Sequence, residues 1–144
     1  MLTFKDLVIK ANDKDIENFI SALTERLSGN PIWSRSEDKE NNVLGVGKIY
    51  AFKREKDNKL PSAGLSLFPK DKNISWYVPN VVPLEYGQLS YLEYNGILTE
   101  FFEDFVNPIA SELGIRAEIT SGAVTDVDIL GEEAAQALTV FSNL

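Results

Sequence analysis

The chain contains neither cysteine nor histidine, and those two absences remove more chemistry than any motif in it supplies. There is no thiolate nucleophile, no Ser-His-Asp triad, no imidazole general base and no Cys/His zinc site. Catalysis would have to run on carboxylates, lysine, tyrosine, serine or a bound cofactor, and no motif here implies a cofactor. The lack of cysteine fits a reducing compartment without requiring one. Also missing are an apolar run near the roughly 18 residues that span a bilayer and an apolar signal core behind the first lysine. The expectation is a cytoplasmic protein that does not enter the membrane.

What is present suits one domain. At 144 residues, 44% hydrophobic and 25% charged, the chain can bury a core without disulfide or metal staples. No repeat, low-complexity tract or linker divides it, so residues 1–144 read as a single domain. Charge is uneven: the net −8 is distributed as −2 over residues 1–40, +4 over 41–80 and −10 over 81–144. With an isoelectric point near 4.6, the chain is not expected to bind nucleic acid through a broad basic surface. The acidic last third is compatible with a protein partner that has a basic surface, and equally with solvated helix faces.

One stretch dictates its own conformation. Ser90-Tyr91-Leu92-Glu93 has the pattern of a capping box, with Leu89 and Tyr94 placed as a hydrophobic staple. Tyr94, Ile97, Leu98, Phe101, Phe105 and Ile109 then recur at helical spacing, and Phe102 and Val106 widen the stripe. Pro108 is expected to push Asn107 out of helical geometry and so to kink or break this rod. Gly114 ends it.

The rest of the chain reads as the surface that receives the rod. Phe4 to Ala11 suits a strand, and Asn12 or Asp13 caps an amphipathic helix carrying Ile16, Phe19, Ile20, Leu23 and Leu27, closed by Gly29. Segments 32–36, 48–54, 62–68 and 74–78 alternate like the strands of an antiparallel meander, with 37–42 a loop and 69–73 a turn. Pro79 to Pro83 is expected to be an extended, partly buried crossover, because its two prolines disfavour both helix and central strand. Ile115 to Thr120 reads as a further strand and Glu132 to Phe141 as a last helix. The fold class is α+β: a mostly antiparallel sheet of about five strands with two to three helices packed on one face. The last helix reaches almost to the final residue, so either its end docks on the domain or the natural chain continues past residue 144.

No stretch carries a specific catalytic signature. Asp126 and Asp128 can place two carboxylates on one side of an extended segment, the oxygen chemistry a divalent cation wants, or else one of them caps the last helix. Gly45-Val46-Gly47 lacks the spacing of a phosphate-binding loop and precedes a strand. Glu93, Glu100 and Asp104 lie along the polar side of the rod with no lysine on that helix to offset them, a face for a basic partner or a solvated exterior. Trp76, Tyr77 and Tyr86 flank the proline-framed crossover, where aromatic residues would serve as binding anchors or fill the core. Lys53, Arg54, Lys56, Lys59, Lys70 and Lys72 cluster at the ends of the meander, to steer an anionic ligand or to keep sheet edges from pairing. The leading expectation is a non-catalytic protein-interaction module of inhibitor, immunity or adaptor type. The alternatives are a carboxylate or divalent-metal enzyme or small-ligand-binding domain, and a self-associating structural protein forming a homodimer through a sheet edge or the aromatic crossover.

Overall fold

The computed structural model of the chain describes residues 4–40, 48–85 and 87–120. The capping box forms as its residues require: Glu93 N–H donates to Ser90 Oγ at 3.1 Å, and Ser90 N–H donates to Glu93 Oε1 at 2.9 Å. Leu89 and Tyr94, the two halves of the staple, are both buried. The helix labelled α3 here spans Tyr91–Phe101. Beyond it the backbone widens into a π-helical turn over Phe102–Val106, where Asn107 N–H reaches back to Phe102 O, and continues as α4, Asn107–Leu113.

Asn107 is helical, with φ −63° and ψ −45°, contrary to the expectation from Pro108. In a regular α-helix the proline has no N–H to give and its ring crowds the carbonyl four residues back. Here the wider turn falls immediately before the proline and accommodates both defects. The rod therefore stays helical through Pro108 and buries Phe101, Phe105, Val106, Ile109 and Ala110 along its length. Gly114 ends it in the left-handed region at φ 70°, where a residue without Cβ is least strained.

The remaining elements are β1 (Asp6–Lys10), α1 (Asp13–Leu27), β2 (Trp33–Arg35), α2 (Glu37–Glu40), β3 (Tyr50–Arg54), β4 (Ala63–Asp71), β5 (Ser75–Val78), β6 (Val81–Pro83) and β7 (Arg116–Thr120). All pairings are antiparallel, in the order β2-β3-β4-β5-β1-β7 with β6 joined to β4. Among the described residues the sheet thus has seven strands where about five were expected. The proline-framed crossover accounts for part of the excess: Val81–Pro83 pairs with Leu65–Ala63 along the same long strand whose far end pairs β5. Pro79 and Asn80 fall between the two ladders, where no backbone donor is needed.

Two connections differ from their sequence reading. The acidic run after Ser36 forms the single turn α2 because Glu40 reaches back to Arg35 with bonds of 2.8 and 2.9 Å and accepts Ala51 N–H at 2.9 Å. β4 continues through Pro69 to Asp71, with the register shifting between those two residues, and the turn comes after it. Asn73 takes the left-handed conformation there, at φ 61°.

Alternation along the strands sorts the residues by face. Leu7, Ile9, Trp33, Tyr50, Phe52, Leu65, Leu67, Trp76 and Val78 face the helices in one core with Ile16, Phe19, Ile20 and Leu23 of α1 and Ile97, Leu98 and Phe101 of α3. Phe101 is the rod's main foothold, its ring 4.9 Å from Trp33 and 5.2 Å from Phe52. Among the described residues no helix is long and apolar enough to cross a membrane.

Removing the cap isolates its contribution. Ser90→Ala is expected to lower unfolding free energy by about 1 kcal/mol, read as a reduced urea midpoint at unchanged slope.

Candidate functional site

Arg54 is the residue whose placement the sequence reading missed. It was grouped with the lysines at the ends of the meander, yet strand alternation sends it inward beside Phe52, and its side chain has 0% exposure. A charge in that position must be paired. All five of its N–H groups are: Nε and Nη2 donate to Glu100 Oε1 and Oε2 at 2.8 and 3.2 Å, Nη1 donates to the carbonyls of Glu55 and Leu60 at 3.0 Å each, and Nη2 also meets Asp57 Oδ2 at 3.1 Å. Trp33 Nε1 adds a bond of 2.7 Å to Glu100 Oε1.

Burial works against the charge on Arg54, and Glu100 followed by Asp57 overcomes it, holding the guanidinium above its ordinary pKa. Asp57 is depressed to about 2, first by the backbone N–H groups of Leu60 and Lys59 and then by Arg54. This cluster joins β2, β3, the following loop and α3. It is the frame on which the outer surfaces are held.

The outer face of the sheet carries a groove of about 440 Å³. Its floor is low because alternation puts small residues there: Ala51 on β3, Gly64 and Ser66 on β4. Phe68, Pro79, Val82 and Leu84 wall it, with Lys39 and Lys53 at the rim. Val82 and Leu84 are 49% and 50% exposed, half of each apolar side chain being available to a partner. Lys39 reaches the rim because α2 is anchored through Glu40.

The residues singled out from sequence are dispersed. Glu93 is engaged in the capping box, and Glu100 points inward to Arg54 and Trp33, so the rod's acidic side is neither continuous nor wholly solvated. The cation that offsets Glu100 comes from β3, not from the helix. Asp104 is exposed. Trp76 and Tyr77 are consecutive in β5 and so lie on opposite faces: Trp76 is buried beside Tyr50, and Tyr77 is half-buried next to Phe68 and Val8 on the outer face. Tyr86, Asp126 and Asp128 lie outside the described residues. The signal that could have revealed the groove was the second parity of β4, in which Gly64 and Ser66 alternate with the core residues Leu65 and Leu67.

Two outcomes follow from the Arg54 cluster. Glu100→Ala leaves a buried cation with Asp57 as its one remaining carboxylate and is expected to cost about 3 kcal/mol, while Glu100→Gln, which keeps an acceptor, costs less; denaturant midpoints rank them. The folded pKa of Asp57 is below its ordinary 3.8, so its contribution is complete above that value and is lost as pH falls from 3.8 toward about 2. Asp57→Asn is expected to flatten the acid limb of a melting-temperature profile across that window; an unaltered limb would show that other carboxylates set it.

No protein-family model, curated protein or solved structure matches this chain.

Proposed function

We propose that the protein is a non-catalytic binding module that docks a partner protein on the outer face of its sheet. The observation that supports this most directly is the groove at Val82 and Leu84, where two large apolar side chains stand half exposed over a floor of small residues. Burying the exposed halves of the two is worth about 1 kcal/mol each.

Charge gives the partner's character. The groove is rimmed by Lys39 and by Lys53, the latter 3.0 Å from the exposed Glu55 carboxylate, on a chain of net charge −8. A partner that inserts an apolar side chain flanked by Asp or Glu meets local attraction there and repulsion elsewhere, which fixes its orientation. The acidic residues of the rod are a weaker basis for docking, because Glu93 and Glu100 are already hydrogen-bonded within the fold.

Affinity capture with parent protein and with a Val82→Asp/Leu84→Asp variant tests the reading. The variant is expected to keep its melting temperature and to lose a partner that the parent retains; Lys39→Glu/Lys53→Glu weakens the same partner and reduces the salt dependence of its binding. Equal recovery by parent and groove variants overturns the reading. A parent dimer in light scattering that dissociates in the Val82→Asp/Leu84→Asp variant assigns the groove to a second copy of the chain instead.

A further inference from the structure

A second concavity, of about 650 Å³, opens where the first turn of α1 faces the β4–β5 turn, and it shares no lining residue with the groove. Tyr50 and Trp76 lie at its base, 2% and 5% exposed, with ring centroids 5.4 Å apart. Among the described residues, two buried side-chain polar atoms lack a hydrogen-bond partner of good geometry, Trp76 Nε1 and Tyr50 Oη; the Lys48 ammonium approaches the Tyr50 hydroxyl, which raises the lysine pKa, and because an ammonium only donates, the Tyr50 O–H is still without an acceptor. Both residues line this one cleft, with the two atoms themselves just beneath its surface. A buried donor without a partner destabilises a fold, and two on neighbouring rings lining one opening place that cost where a ligand would relieve it.

The surrounding groups specify the ligand's charge. Lys48, Lys70 and Lys72 line the cleft, against Asp13 and Glu17. Glu17 is already 3.4 Å from Lys48 Nζ, which also lies 5.3 Å from the centre of the Tyr50 ring. An indole N–H and an ammonium group only donate, and a phenol can donate. The site therefore offers donors and net positive charge, which suits an acceptor-rich anion and not a metal cation.

The walls are held in place. Asn73 Oδ1, on its left-handed turn, accepts Asp13 N–H at 2.8 Å and fastens the β4–β5 turn to the start of α1. Lys70 falls at the register shift in β4 and has no strand partner in β5. Ile16 and Pro69 add apolar surface for the ligand's carbon skeleton.

We propose that this cleft binds a small organic anion, a phosphomonoester or a carboxylate, whose oxygens accept from Tyr50 Oη and Trp76 Nε1 and are neutralised by Lys48, Lys70 and Lys72. The site is independent of the groove on the other face, so either assignment can fail without the other.

The two tryptophans of the chain give the measurement an internal reference. Trp33 Nε1 is committed to Glu100, and Trp76 Nε1 is not. In an indole ¹H–¹⁵N titration at constant ionic strength, with resonances assigned through backbone connectivity, the probes are inorganic phosphate, glycerol phosphate, succinate and citrate. The Trp76 signal is expected to shift saturably while that of Trp33 stays fixed. Saturation by the phosphates alone identifies a phosphoryl ligand, and saturation by the carboxylates alone a carboxylate. The exposed pair Lys70→Ala/Lys72→Ala is expected to weaken binding about tenfold or more, and Lys56→Ala/Lys59→Ala, outside the cleft, to leave it unchanged. Tyr50→Phe keeps the ring and removes the hydroxyl, so binding of the probe weakens while the packing of the ring is retained. The proposal is overturned if no probe moves the Trp76 signal saturably, if the shift survives Lys70→Ala/Lys72→Ala undiminished, or if Tyr50→Phe binds the probe as tightly as the parent.

Discussion

A guanidinium with no exposure to water constrains this structure more than any other group. An unpaired charge at Arg54 would cost several kcal/mol, so the fold has to deliver every acceptor at once: Glu100 from α3, Asp57 and the carbonyls of Glu55 and Leu60 from the loop after β3. Trp33 from β2 then finds its own acceptor on the same carboxylate. Aromatic packing of Phe101 on Trp33 and Phe52 has broad geometric preferences and tolerates small rotations of the rod. The hydrogen-bonded cluster does not, and so it sets the rod's position along the sheet. Gly96 belongs to the same arrangement. A side chain added there would meet Leu60 Cδ2 at 3.2 Å, so a residue that weakens the helix interior by about 1 kcal/mol admits the loop whose carbonyl Arg54 requires.

The long strand β4 organises what the frame presents outward. Along one edge it pairs β3, and along the other it pairs β6 and then β5. Its outward residues Gly64, Ser66 and Phe68 form part of the groove, and Pro69 and Lys70, at the change of register, border the cleft. One strand thus contributes to two concavities of opposite character, one apolar with a basic rim and one rich in hydrogen-bond donors. The first suits a protein surface and the second a small anion.

Local signals foretold the elements well where a single segment carried its own instructions. Ser90 and Glu93 cap each other, Asn12 caps α1 with its side chain accepting Asp15 N–H, and the inward residues of β3 and β4 follow simple alternation. The reading failed where a partner distant in sequence decided. α2 exists because Arg35 and Ala51 hold Glu40, β6 because β4 has a free edge beside it, and Asn107 stays helical because the preceding turn can widen. The first two are tertiary overrides of a correct local preference, and the third is a local widening of the helix backbone. Of the residues chosen for a site, Trp76 lies at a concavity; Glu93 and Glu100 turned out to bond within the fold, and Tyr77 was separated from its neighbour by the pleat.

The amino-acid order by itself determined the periodicities, the caps and the exclusion of thiol and imidazole chemistry, because these depend on residue type and on spacing within a few turns. Only the tertiary structure decided that Arg54 is internal, that Glu100 is its counter-ion, and that Tyr50 and Trp76 share a cleft with three lysines. Those facts depend on which faces meet after the chain has closed loops of tens of residues. Spacing along a strand shows which residues share a side but not what lies opposite, and a charge, a donor or a half-exposed apolar group takes its meaning from what lies opposite.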